Sequence, residues 1–484
     1  MTAPAAALPP PRPARRPGAL MSGAAALVLA GCASLPPPET ARQAKPPQAY
    51  AAAQSFAAPQ APWPGDAWWR DYGDAQLTGL IEEGLKDSPT LAQAQARLRR
   101  AQSMVATARA AGLPQISANA KATEEKQSYN NGFPKEFLPQ GYNDYGRATL
   151  DFSWELDFWG KNRAAVAAAA SEAQAARADA AEARLMLSTN IAAAYADLAR
   201  LFAQRDVAER ALGLRGETAS LVQRRVDNGL DTQGELRQAQ AGPAAARAEL
   251  AGVDEEIALT RNRLAALMGQ GPDRGLAIAR PAPAALKPAG LPANLAADLV
   301  GRRPDVAAAR WRAQAADRRV AQSKAAFYPN INLAAFIGLQ SLGLDQLTRQ
   351  GSDIGSVGPA LSLPIFQGGR LRAGLRGAQA DRDAAVAAYD EALVQALRDV
   401  ADVTASQRAL SVRLAQSREA LAADEDAYRI ARLRYEGALS NYQSVLLAEQ
   451  EVLAQRRVVA DLESRAFTLD VALVRALGGG FAAS

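Results

Sequence analysis

The chain has 484 residues, 49% of them hydrophobic and only 6% aromatic, and alanine supplies much of the apolar share, a composition suited to long, partly solvated helices. With no histidine and a single cysteine, side-chain catalysis, a disulfide framework and a cysteine-based metal site are not expected, so the chain reads as neither an enzyme nor a cofactor or metal binder. The net charge of +5 falls to +2 once Arg12, Arg15 and Arg16 are set aside, and no basic run remains that would suit nucleic acid.

Those three arginines precede an apolar, small-residue segment from Ala19 to Ala30, too short to span a bilayer and built like a secretory signal over residues 1–31. It ends Leu29-Ala30-Gly31-Cys32, which resembles the lipobox of bacterial lipoproteins, where the signal is cut before an acylated cysteine. An ordinary signal with an incidental cysteine is the plainer alternative. By the resemblance Cys32 is the lipid attachment site, several acyl chains would anchor the protein stably, and Ala33 after the cysteine favours the outer membrane. The Pro-rich tract of residues 32–66 then reads as an extended tether.

Beyond the tether the sequence is duplicated, with copies at 67–290 and 291–484. Ser88-Pro89-Thr90-Leu91 opens a helix that leads to Gly112-Leu113-Pro114-Gln115-Ile116, and Arg303-Pro304-Asp305-Val306 opens one that leads to Phe327-Tyr328-Pro329-Asn330-Ile331. Each copy predicts helix, strand, polar loop, strand, very long helix, tight turn and long helix. Four strands are expected at about 114–126, 145–158, 328–340 and 356–366.

The second strand alternates strictly, with Leu150, Phe152, Trp154, Leu156 and Phe158 on one face and Asp151, Ser153, Glu155 and Asp157 on the other. The four polar residues are natural lumen-lining candidates. Ile331, Leu333, Ala335, Ile337 and Leu339 repeat the pattern, as do Pro359, Leu361, Leu363 and Ile365. Strands of this length cross an outer membrane when tilted, but four cannot close a barrel. Since lipid does not tolerate open edges, the chain is expected to share a barrel with copies of itself, and three copies give twelve strands. The segments Glu124 to Asp144 and Ser341 to Gly355 read as exposed loops.

No convincing breaker interrupts the stretch from Gly160 to Asp227-Asn228-Gly229, or that from Gly369 to Glu436-Gly437, and each would form a helix of about 100 Å. Leu393, Val400, Gln407, Leu414, Leu421, Tyr428 and Tyr435 recur every seven residues, with Ala396, Val403 and Leu410 beside them, as a coiled-coil seam. The helices alone would permit an isolated coiled coil without a pore; joined to membrane strands they make a continuous tube the simpler reading.

Both long helices reverse at turns, 227–232 and 436–441, that align without a gap. Gly229 and Gly437 are expected to supply the permissive backbone, and Asp231 and Ser440 to cap the returning helices. Ordinary hairpin turns would need no leucine at an exposed tip, so Leu230 and Leu439, with Asn228, Gly229, Asp231, Gly437, Ala438 and Ser440 around them, are candidates for partner docking.

The ordered set Trp68-Trp69, Ser153-Trp154-Glu155-Leu156-Asp157-Phe158-Trp159-Gly160, Arg302-Arg303-Pro304-Asp305-Val306, Ala325-Ala326-Phe327-Tyr328-Pro329, Leu361-Ser362-Leu363-Pro364-Ile365-Phe366-Gln367-Gly368-Gly369-Arg370 and Ala476-Leu477-Gly478-Gly479-Gly480 resembles the TolC-like outer-membrane efflux protein family, in its NodT/OprM branch. That resemblance implies a membrane α+β fold: a homotrimer with a shared twelve-stranded β-barrel continuous with a periplasmic α-helical barrel. It also implies a passive exit duct for drugs or other small toxic compounds in a tripartite pump, with a periplasmic adaptor protein and an inner-membrane transporter of the RND type as partners. A duct for type I protein secretion and a non-conducting trimeric coiled-coil lipoprotein are the alternatives. Family members close the periplasmic end just after the second turn, often with leucine and aspartate. The matching positions are Gln443, Ser444 and Leu447, none acidic, with Glu449 the nearest carboxylate, so closure is expected to rest on Leu447 packing and polar contacts. The stretch Phe336 to Leu344 bears a distant likeness to channels for aromatic acids such as fusaric acid.

Overall fold

A computed structural model describes residues 41–130, 132–282, 286 and 290–483; the expected signal and Cys32 lie outside the described residues. The first copy runs α1 (Ala75–Asp87), α2 (Pro89–Ala110), β1 (Gln115–Glu125), β2 (Asn143–Leu156), α3 (Lys161–Asp227) and α4 (Gln233–Leu267), followed by the short α5 (Pro272–Leu276). The second runs α6 (Leu295–Arg302), α7 (Pro304–Ala325), β3 (Asn330–Leu342), β4 (Asp353–Ser362), α8 (Arg370–Glu436) and α9 (Tyr442–Ala476). Helix lengths match between copies: 22 residues in α2 and α7, 67 in α3 and α8, 35 in α4 and α9. The long helices are filled by alanine, arginine, glutamate and glutamine, which lose little side-chain freedom in a helix. Among the described residues no helix is both long and apolar enough to cross a membrane.

The chain divides into two compact units. One comprises residues 105–169 and 315–383 and holds all four strands; the other comprises residues 42–104, 170–314 and 384–483.

In the first unit the strands form one antiparallel sheet in the order β1-β2-β3-β4. The register preserves the period-2 pattern from strand to strand. Ile116, Phe152, Ala335 and Val357 form one row across the sheet, and Ala118, Leu150, Ile337 and Gly355 the next. Ser117, Asp151, Phe336 and Ser356 form a row on the opposite face. That face is therefore apolar across both rows, with Asp353 entering it in the row of Leu339 towards the loops, and its Ile116, Leu150, Ile337 and Val357 are all exposed in the single chain. β1 and β4 are edges. Two strands stop earlier than the alternation suggested: β2 ends at Leu156 and β4 at Ser362, so Asp157 and Phe158, and Leu363 to Phe366, lie past the sheet. Pro364 cannot donate to a ladder, and Asp157 is taken up by the following helix.

In the second unit the main core packs Trp68, Trp69, Tyr72 and the α1 residues Leu77, Leu80 and Ile81 against Ile191, Tyr195 and Leu198 of α3 and Leu264 and Met268 at the end of α4. Asp74 caps α1 by accepting from the Gln76 and Leu77 amides at 2.8 and 3.1 Å, and it also accepts from the Tyr195 hydroxyl at 2.6 Å. The Arg-Pro-Asp-Val motif has a structural reason. The Arg303 guanidinium donates to Asp305 at 2.7 Å and to Asp399 at 3.0 Å, joining the start of α7 to α8, and Val306 packs against Tyr389 and Ala396. The closing glycines are equally constrained: Gly478 has φ +85°, and a Cβ there would clash with the Arg302 carbonyl oxygen.

Candidate functional site

The two hairpin turns share a backbone but not a sequence. At the end of α3 the Leu230 amide donates to the Arg225 carbonyl at 2.8 Å and the Gly229 amide to Val226 at 2.9 Å, with Gly229 at φ +75°. At the end of α8 the Leu439 amide donates to Arg434 at 2.7 Å and the Ala438 amide to Tyr435 at 3.0 Å. Here the left-handed residue is Ala438, at φ +61°, and not the expected Gly437, which falls one position early. A Cβ in that conformation costs about 1 kcal/mol or more. The caps also differ from expectation by one residue. Thr232 caps α4 in a reciprocal box with Glu235, and Asn441 caps α9 by accepting from the Ser444 amide.

Asp231, released from capping, ties the turns together. Its carboxylate accepts from Arg225 Nε at 3.0 Å and from the Tyr435 hydroxyl, and the Arg225 guanidinium lies 4.3 Å from the Tyr435 ring centre while donating to the Tyr435 carbonyl at 2.8 Å. The Asp231 hydrogen bond holds the Arg225 guanidinium above its ordinary range, and burial, then the Asp231 carboxylate, push the Tyr435 hydroxyl up. Tyr435 continues into a cluster with Val222, Leu236, Tyr442 and Val445. Of the eight candidate docking residues, Asn228, Gly229, Leu230, Gly437, Ala438 and Leu439 are exposed, with Leu230 at 59% and Leu439 at 72%. Asp231 and Ser440 are drawn inward, the former by its ion pair and the latter with a buried hydroxyl.

The candidate gate residues Gln443, Ser444 and Leu447 share one exposed face of α9, while Tyr442, Val445 and Val452 fill the opposite face. Ser444 is also tied to the cap, its hydroxyl donating to Asn441 Oδ1 at 3.0 Å. Glu449 belongs to the buried side: it is 2% exposed, accepts from the Thr218 hydroxyl at 3.1 Å and lies 3.5 Å from Arg215 Nε, and burial raises its carboxyl. Sequence reasoning missed the carboxylate that does share the exposed face. Glu451 is exposed and sits four residues after Leu447, and the i, i+4 series 443, 447, 451 is the signal that would have found it.

On the sheet, Asp151 accepts from Asn119 and Thr149, both at 2.8 Å, Ser153 stays exposed, and Glu155 pairs with Lys161 at 2.6 Å, so these three lie on the polar face as expected. Asp157 does not. Its carboxylate accepts from the Asn162 and Arg163 amides at 3.1 and 2.9 Å, capping α3. Among the described residues no group of histidine, cysteine, aspartate and glutamate is arranged to hold a metal ion.

The sequence profile of the outer membrane efflux proteins matches residues 80–270 and 295–479, most of both copies. The chain belongs to this family. It is 39% identical to the fusaric acid resistance protein FusA of Burkholderia cepacia over 74% of this chain and 68% of that protein. It is 31% identical to the multidrug resistance outer membrane protein MdtP of Shigella flexneri over 94% and 95% of the two chains. Among solved structures, the outer membrane protein VceC of Vibrio cholerae superposes with a TM-score of 0.82 at 47% identity, covering 87% of this chain and all of that one. The outer-membrane channel OprN superposes at 0.80 with 27% identity, covering 92% and 99%. The fold is that of a TolC-like channel, the protein is an outer-membrane efflux channel, and the family is one of ducts.

Proposed function

We propose that three copies of this efflux channel close a twelve-stranded barrel that serves as the passive outer-membrane exit of a tripartite pump. The sheet carries the reading: four strands, one face apolar over its central rows, and two unpaired edges. Each unpaired backbone group in hydrocarbon costs several kcal/mol, so edges must meet edges of other copies. In this arrangement Asp151, Ser153 and Glu155 line a water-filled lumen. Cys32 carries the lipid anchor, with residues 1–31 removed; the expected extended tether is corrected in its described part, since Arg42 pairs with Asp390 at 3.1 Å, Leu291 bonds the backbones of Pro59 and Ala61, and Tyr50, Phe56 and Trp63 pack on the cluster around Leu295 and Leu299. The exposed tips, centred on Leu230 and Leu439, meet the periplasmic adaptor, which links the duct to an inner-membrane transporter of the RND type that supplies energy and selection.

Gln443, Ser444 and Leu447 form the gate, three leucines at one axis excluding water until the helices part. The cargo is a small toxic compound, and likeness to a fusaric acid resistance protein makes aromatic acids the first to try. Chemical cross-linking of the purified protein in detergent should give trimers that conduct ions in planar bilayers. A conducting monomer would overturn the shared barrel, and a trimer that never conducts would return the chain to a structural lipoprotein. An unmodified Cys32 in the mature protein would end the anchor claim.

A further inference from the structure

One cross-strand pair on the polar face of the sheet joins two cations. Lys121 of β1 stands directly opposite Arg147 of β2, and Gln340 of β3 continues the row. Like charges facing each other across a ladder weaken it, so the fold itself gains nothing from this pair. Neither cation lies in a salt bridge among the described residues. Each rests instead against an aromatic face, the Lys121 ammonium 5.8 Å from the Tyr145 ring centre and the Arg147 guanidinium 5.2 Å from that of Phe336. Lys121 is exposed, and Arg147, Tyr145 and Phe336 are half-buried. The acids on the same face do not cancel the pair. Asp151, two rows towards the helices, interacts with Arg147 and offsets one of the two charges, while its Oδ2 accepts from Asn119 and Thr149 at 2.8 Å. Glu155 is neutralised by Lys161. Glu125 lies four residues beyond Lys121, about 14 Å along the strand, which exceeds the screening length of about 8 Å in physiological salt. The middle of the face therefore keeps one cation in excess per copy.

The barrel reading above, on which this inference rests, turns this face to the lumen and repeats the row in three copies. We propose that Lys121 and Arg147 form a ring of cations there that draws organic anions through the loop-side half of the barrel, aromatic carboxylates foremost. Rings of lysine and arginine select anions in pores. The carboxylate of the cargo meets the cations through charge-assisted hydrogen bonds, and its flat ring meets Phe336 and Tyr145, so one molecule engages both kinds of group. Passage also requires release, and cations that stay solvated at the lumen wall hold an anion only weakly.

The test is the reversal potential of the purified channel in planar bilayers under a KCl gradient, recorded with Leu447→Ala as well as with the wild-type gate so that the constriction does not set the result. Wild type should prefer chloride. Lys121→Gln combined with Arg147→Gln should lower the chloride-to-potassium permeability ratio about threefold, and Asp151→Asn should raise it. The preference should fade between about 0.1 M and 1 M salt, where the screening length shrinks to about 3 Å. Benzoate should reduce the chloride current more than acetate at the same concentration, and the double variant should treat the two alike. Because the pair opposes like charges, its removal should leave the assembled channel at least as resistant to heat. A ratio unmoved by the double variant, equal block by benzoate and acetate, or a double variant that no longer assembles would overturn the proposal. Cross-linked trimers that conduct without anion preference refute the ring alone, whereas a wild type that never conducts refutes the barrel.

Discussion

The two hairpin turns are copies that have kept their geometry and divided their chemistry. The first turn has the better backbone, with Gly229 in the left-handed position and a reciprocal Thr232–Glu235 cap. The second places Ala438 in the same conformation and caps α9 through Asn441 alone. The first also contributes Arg225 and Asp231 to the link between turns, whereas the second contributes Tyr435. In the gapless alignment of the turns, Gln443, Ser444 and Leu447 correspond to Gly234, Glu235 and Gln238, so the leucine proposed for the gate has no apolar counterpart in the first copy. A duplicated module can thus keep one backbone while its two copies take on different side chains.

The largest expected effect tests that division. Leu447→Ala should raise single-channel conductance, and Leu447→Asp should raise it further with added cation preference, because three like charges in a narrow space repel one another. Gln238→Ala, at the matching place in the first copy, should leave conductance unchanged. Gln443→Ala should loosen closure without cation preference, and equal conductance in wild type and both Leu447 variants would move the gate elsewhere.

Next comes the link between turns. Arg225→Ala leaves the buried Asp231 side chain with the Tyr435 hydroxyl but without a cation to balance its charge, and should lower local stability by about 2 kcal/mol, read by hydrogen exchange in both turns. Arg434→Ala, the exposed counterpart, should have little effect, and equal losses would show that the link is not specific to the first copy.

A third, smaller effect depends on pH. The folded-state pKa of Glu449 is raised by burial, so its contribution to stability is complete below the unfolded carboxylate value of about 4.3 and is lost as pH rises through the folded value. Glu449→Gln gives the second copy the residue that the first has at position 240 and should flatten this dependence in thermal melts from acid to neutral pH. A variant that keeps the wild-type slope would exclude Glu449 as its source.

The smallest effect is local. Ala438→Gly should stabilise the second turn by about 0.5–1 kcal/mol, and Gly229→Ala should destabilise the first by about as much, in chemical denaturation followed at the tips.

Period-2 alternation, the seven-residue seam and the duplicated motifs made the sheet, the long helices and the turns legible, because each reports a repeat imposed by backbone geometry. What escaped were contacts that depend on which of two neighbouring residues turns inward. Asp231 and Thr232 can both cap a helix, and Asp231 was drawn away by the nearby Arg225 guanidinium and by the Tyr435 phenol 204 residues further along the chain. Asp157 obeys the strand alternation yet caps the next helix, since a carboxylate just before exposed amides finds two donors at once. Glu451 shares the exposed face of Leu447 through i, i+4 spacing, whereas Glu449, nearer in sequence, turns to the buried side.

The equal 67-residue spans of α3 and α8 carry an evolutionary consequence. Deleting one residue from either would turn everything beyond it by about 100° and draw its turn back by about 1.5 Å, parting Arg225 from Tyr435. Removing seven from both would restore phase and level together, since seven residues make almost two whole turns. Insertions and deletions among relatives should therefore occur in pairs, one in each copy, and in multiples of seven, like teeth removed from two meshed racks.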